Sequence, residues 1–153
     1  MDKKTITTPD APAPIGPYNQ AIATGNMLFI SGQICIDPST GELKNADIKE
    51  ETLQVMKNLR AILQQAQMNF SNVVKTSIFL TDMKRFGEVN EVYGSQLEKD
   101  LNSDRSGFPA RETVQVSALP KFVNVEISMI AVKWNFLDKV VTTKAPSERM
   151  KLL

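Results

Sequence analysis

The sequence predicts an α+β domain: a mixed β-sheet with two helices on one face. Two observations carry that expectation. β-type apolar runs recur at residues 27–36, 73–80, 112–116 and 123–134, and only two segments, residues 48–67 and a second one opening at Thr81-Asp82, place apolar side chains at helical spacing. The order is strands, helix, strand, helix, strands, with no internal repeat. A chain of 153 residues with 42% hydrophobic content suits one domain with a substantial core.

Residues 9–17, rich in proline and alanine and ending in Ile15-Gly16-Pro17-Tyr18, read as an ordered, non-helical arm, because each proline restricts itself and its predecessor. Residues 21–23 read as a short strand, and Thr24-Gly25-Asn26 as a turn. Residues 27–36 are apolar almost throughout, and Asp37-Pro38-Ser39-Thr40-Gly41 is a loop. Asp47 and Glu50 resemble a capping box at the start of the first helix. Val55, Met56, Leu59, Ile62, Leu63 and Ala66 form the stripe that packs it on the sheet. The second helix carries Phe86, Val89, Tyr93 and Leu97, and a polar loop follows at residues 102–107. The last two strands are split at Leu119-Pro120. The tail shows no clear period, so the chain divides into a domain at residues 1–134 and a C-terminal extension at residues 135–153.

Two helices cover only one face of a sheet. Residues 27–36 and 123–132 are nonetheless apolar on both faces, the pattern of strands buried on both sides. The expectation is a homo-oligomer whose copies cover the second face.

The absences narrow the chemistry. There is no histidine, which excludes Ser-His-Asp and Cys-His machinery and His-ligated metal sites. Cys35 is the only cysteine, so neither an intrachain disulfide nor a thiolate metal cage can form, and a reducing, cytosol-like compartment is expected. Catalysis would rest on carboxylates, arginine, hydroxyls, backbone groups and water, with no metal and no cofactor. Eighteen basic against 17 acidic residues give a net charge of +1, which disfavours nucleic acid as a partner. No run is long enough to span a membrane. The start, Met1-Asp2-Lys3-Lys4-Thr5, lacks the apolar core of a secretory signal, and its early acid argues against a simple transit peptide.

Against that background Arg111 and Glu126 stand out. Arg111 follows Pro109-Ala110 at the entrance to a strand, and Glu126 sits inside the run Val125-Glu126-Ile127. Burying either charge alone costs several kcal/mol. Arg111 could grip a carboxylate with both arms of its guanidinium, or pair internally with Glu126; the pattern leaves the two readings level. Glu126 could hold a water or move a proton, or be a solvent-facing strand acid. Alternation places it with Ser128 and Ile130. Ser31-Gly32-Gln33 breaks an apolar strand, as a simple bulge does, and also as a close backbone approach to a ligand does. Tyr18 is a packing anchor or a pocket wall, Asn90 a surface asparagine or a helix-borne contact, and Cys35 a small buried hydrophobe.

Taken together and in order, Ile15-Gly16-Pro17-Tyr18, Ser31-Gly32-Gln33, Val74-Lys75-Thr76, Val89-Asn90 with Tyr93, Phe108-Pro109-Ala110-Arg111 and Val125-Glu126-Ile127 resemble the RidA (YjgF/YER057c/UK114) family over residues 3–133. The resemblance implies a chorismate-mutase-like (RidA-like) fold and a homotrimer with sites between subunits. It also implies hydrolysis of reactive enamines and imines, such as 2-aminoacrylate and 2-aminocrotonate, to 2-keto acids and ammonia. On that reading Arg111 grips the substrate carboxylate, while Glu126 and the backbone carbonyl of Thr113 position the water. Tyr18 and Ser31 line the site, the Gly32 backbone touches the substrate, and Asn90 is a further contact. Members often carry cysteine where this chain has Thr113. The loop between Tyr93 and Phe108 is a few residues longer than usual, and the chain runs on past Lys133. Ribonuclease or translation-inhibitor activity, also ascribed to the family, and a non-enzymatic binding or chaperone-like role are the competing expectations.

Overall fold

The computed structural model describes residues 2–101 and 107–134. The predicted extension at residues 135–153 and most of the polar loop lie outside the described residues. Eight main elements follow in order: β1 (Lys4–Ile6), β2 (Ala21–Thr24), β3 (Met27–Gln33), α1 (Ile48–Gln65), β4 (Val73–Leu80), α2 (Phe86–Glu98), β5 (Ala110–Gln115) and β6 (Val125–Val132). The strands form one mixed sheet in the order β1-β2-β3-β6-β4-β5. Only the β4–β5 pair is parallel; the four other neighbouring pairs are antiparallel. That pairing needs the crossover which α2 supplies.

Helix α1 starts where its cap predicts. Asp47 accepts from the Glu50 amide at 2.8 Å, and Glu50 reaches back to accept from the Ala46 amide, one residue before the cap. Val55, Met56, Leu59, Ile62 and Leu63 are fully buried. They pack with Leu28, Ile127, Met129 and Ala131 in the core. The helix ends at Gln65, two residues short of the expectation. Gln67 takes a left-handed φ of 59°, and the Met68 amide turns back to the Leu63 carbonyl at 2.9 Å.

Within one chain the second face of the sheet is left open, as two helices on one face require. β3 and β6 alternate strictly at their paired ends, with one face buried under the helices and the other only partly covered. Met27 and Phe29 on the open face are 36% and 41% exposed. β3 shifts register against β6 between Ile30 and Gln33, and it ends at Gln33 instead of residue 36; beyond it the carbonyls of Ile34 and Ile36 accept from the Asn58 side chain. β1 went unread: three residues carry no usable period, and only pairing with β2 defines the strand. The proline-rich arm is pinned by Gln20. Its amide group accepts from the Thr8 amide and donates to the carbonyls of Thr8, Ala11 and Pro12 at 2.8–3.2 Å.

Among the described residues no helix is long and apolar enough to cross a membrane.

Candidate functional site

Glu51 anchors one end of the architecture. Its fully buried carboxylate accepts from the Asn124 amide at 2.6 Å, the Val125 amide at 2.9 Å and the Asn124 side chain at 3.0 Å. Two backbone donors at the mouth of β6 thereby find a charged acceptor, which fixes where that strand begins and where Glu126 stands. The sequence carried a signal for this residue: an acid three after Ile48 and four before Val55 lies on the apolar face of α1.

Glu126 lies on the open face of the sheet. Its strand partner is Phe79, whereas its buried neighbours Val125 and Ile127 face the helices. The carboxylate is laid across Gly32: a Cβ at that position would lie 2.8 Å from the Glu126 Cδ and nearer still to its Oε1. The glycine is therefore required by the approach of Glu126, not by a positive φ. Burial pushes the Glu126 carboxyl above the ordinary carboxylate value. Tyr18, Ser31, Gly32 and Glu126, with Ile15, Ile34 and Pro120, line one cavity of about 250 Å³. The Ser31 hydroxyl donates to the Asn19 carbonyl, and the Tyr18 hydroxyl accepts from the Ile15 amide at 3.1 Å, which ties the arm to the rim.

Arg111 stands elsewhere. It pairs in register with Thr76, and Thr113 with Ile78, so both follow the helix-covered face of β4 out to the sheet edge. The guanidinium lies over the rings of Tyr93 at 5.1 Å and Phe86 at 5.6 Å. Such stacking orients the planar fork while leaving its edge free for an anion. The Tyr93 hydroxyl donates to the Thr76 hydroxyl at 3.0 Å, which fixes that ring under the arginine. Arg111 and Asn90, with Tyr93, Gly94, Glu98, Phe108 and Pro109, line a second cavity of about 350 Å³. Thr113 lines neither cavity; its buried hydroxyl has no hydrogen-bond partner among the described residues.

Six of the seven sequence-predicted residues thus divide into two half-sites on opposite faces of the sheet, with Tyr18, Ser31, Gly32 and Glu126 in one, Arg111 and Asn90 in the other, and Thr113 in neither. Of the two readings of Arg111, the internal pair with Glu126 is the one the geometry rejects. No such ion pair is present among the described residues, and the register places the two side chains on different faces. The aromatic bed of Arg111 was not legible, because Phe86 and Tyr93 are distant in sequence. Cys35 is fully buried, and burial together with the nearby Glu51 charge pushes its thiol up to about 11, the state of an inert core cysteine.

Comparison with known proteins agrees with this architecture. Residues 8–133 match the family described as endoribonuclease L-PSP. A RutC family protein of Pyrococcus horikoshii is 48% identical over 131 residues, covering 86% of this chain and 98% of that one. The 2-iminobutanoate/2-iminopropanoate deaminase of Mus musculus is 45% identical over 135 residues, covering 88% and 95%. The YjgF gene product of E. coli, at 42% identity, superposes with a TM-score of 0.78 over 86% of this chain and 99% of that one. E. coli TdcF, solved with bound serine, superposes equally well at 39% identity and the same coverage. A family match over most of the domain, with the same fold and more than 40% identity to several relatives, shows that the chain belongs to the RidA (YjgF) family.

Proposed function

We propose that the protein hydrolyses small 2-imino acids and their enamine tautomers to 2-keto acids and ammonia, and that it does so as a homotrimer. The observation that carries the reading is Arg111. It is a guanidinium stacked on two rings, with no hydrogen bond or ion pair among the described residues, in a cavity of about 350 Å³, suited to a two-armed grip on a small carboxylate. Mammalian relatives at similar identity bear the name of this deaminase, and TdcF, of the same fold, was solved with serine, a small α-carboxylate.

The chemistry asks little of the side chains. A protonated imine carbon is already electrophilic. Water adds to it, a proton shifts to nitrogen, the C–N bond breaks, and one iminium plus one water become one ketone plus one ammonium. Glu126 accepts the proton of the attacking water and returns it to the departing nitrogen. The raised affinity of this carboxyl for protons suits both steps. The Thr113 carbonyl and the Gly32 backbone orient water and substrate, Tyr18 and Ser31 wall the Glu126 half, and Asn90 contacts the substrate in the Arg111 half.

One chain holds Arg111 and Glu126 on opposite faces, so a single substrate meets both only when the Arg111 half of one copy closes on the Glu126 half of the next. The exposed Met27 and Phe29 on the open sheet face support the same assembly. Residues 1–134 carry the activity, with residues 135–153 as an extension, in a reducing compartment such as the cytosol.

The test is keto-acid release from enzymatically generated 2-aminoacrylate, comparing the intact protein, Arg111→Ala and no protein. Acceleration by the intact protein alone supports the reading. Release no faster than the spontaneous reaction overturns it, and RNA cleavage that is lost in both Arg111→Ala and Glu126→Ala would then favour the activity in the family's description.

A further inference from the structure

The Arg111 cavity has a second charged wall. Glu98 is the last residue of α2 and lines that cavity together with Asn90 and Gly94 of the same helix, across from Phe108 and Arg111. Positions 90, 94 and 98 succeed one another at four-residue spacing, so they share one helix face. Gly94 contributes no side chain between the other two; a Cβ there would meet nothing within 4 Å. The result is a cavity with a guanidinium at one side and a carboxylate at its exposed side, joined by open space.

Glu98 is also an unexpected residue for its position. The C-terminal end of a helix carries partial negative charge and favours cations; Lys99 at the C-cap of α2 meets that preference, whereas Glu98 beside it does not. What distinguishes Glu98 from other exposed acids is its place in the wall of the Arg111 cavity.

We propose that Glu98 sets substrate specificity by charge, which rests on the imino-acid reading above: with the α-carboxylate held at Arg111, a substrate side chain reaching toward the cavity mouth meets the Glu98 carboxylate. Imino acids with neutral or cationic side chains are accepted, and those carrying a second carboxylate are repelled. A single charge in the wall of such a cavity shifts binding by about threefold to tenfold.

The experiment pairs binding with turnover on the full-length protein, Glu98→Gln and Glu98→Lys. Calorimetry measures Kd for 2-oxobutanoate and for 2-oxoglutarate, keto acids with one and two carboxylates. Turnover is measured on 2-aminocrotonate. The expected result is that the 2-oxoglutarate to 2-oxobutanoate ratio of Kd falls by about threefold to tenfold in Glu98→Gln and further in Glu98→Lys, the effect shrinking as salt is raised. A ratio unmoved within about twofold in both variants overturns the inference, even if 2-aminocrotonate is hydrolysed. Absence of turnover by the parent overturns the deaminase reading separately, since the binding ratio is read without it. Melting temperatures of the variants at or above the parent's are expected, because removing the acid relieves the helix end; a fall in both would assign Glu98 a structural role instead and overturn the proposal.

Discussion

Glu126 combines an unusual position with a shifted titration. Burial raises its pKa above the ordinary carboxylate value, so it holds its proton to higher pH than a solvated acid does. If the ionised form is the base, activity is full above that raised pKa and falls as pH drops through it. The rate profile of kcat/KM should therefore show an acid limb with a midpoint above 4.5, and Glu126→Gln should abolish that limb and lower kcat by about 10²-fold or more. An unchanged profile in the variant would remove Glu126 from the chemistry. Arg111 invites a milder change. Arg111→Lys keeps the charge but loses the planar fork and its bed on Tyr93 and Phe86. Steady-state kinetics should show KM rising with a loss of roughly 10- to 100-fold in kcat/KM, the cost of one charged hydrogen bond. An effect below twofold would mean that only charge matters there.

At the scale of elements, the start of β6 depends on a helix it does not touch in sequence. Glu51 of α1 supplies the acceptor for the Asn124 and Val125 amides, and Glu126 is the next residue along. Glu51→Leu fills the space with apolar atoms but leaves the buried Val125 amide and the part-buried Asn124 amide without their acceptor, at roughly 1–3 kcal/mol for a buried donor and less for the other. Denaturant unfolding should show a loss of about 2–5 kcal/mol. A neutral result would show that water or another group can serve those amides. Much of this scale was legible beforehand. The stripe of α1, the Asp47 cap and the turn at Gly25 are local patterns, and the structure places all three as read. Glu51 itself was overlooked, because an acid among apolar residues signals a buried partner only once that partner, 73 residues away, is known.

For the whole molecule, the division of the site between two faces has a consequence that a one-chain site would not share. Arg111→Ala and Glu126→Gln should each be inactive alone, yet unfolding them together and refolding the mixture should restore activity. In the proposed assembly each cleft would draw its arginine from one copy and its glutamate from the next, so random mixing in a ring would give about one quarter native clefts. No recovery, with mixed assemblies verified by mass, would place both residues' work within one chain. Sedimentation of the parent gives the companion test: a monomer at micromolar concentration would leave the apolar open face without the cover proposed for it.

The sequence by itself determined the class of elements, the helix stripes, the absence of histidine chemistry and the set of residues worth watching. Periodicity is a property of neighbours along the chain, so it reads out one element at a time. Only the tertiary structure decided that Arg111 and Glu126 stand on opposite faces, because that depends on how β5 and β6 each register against β4, and a slip of one residue would reverse it. The same holds for Gly32. Its sequence position announced an interruption, but the reason for it, a carboxylate lying on its Cα, exists only once β3 and β6 are paired.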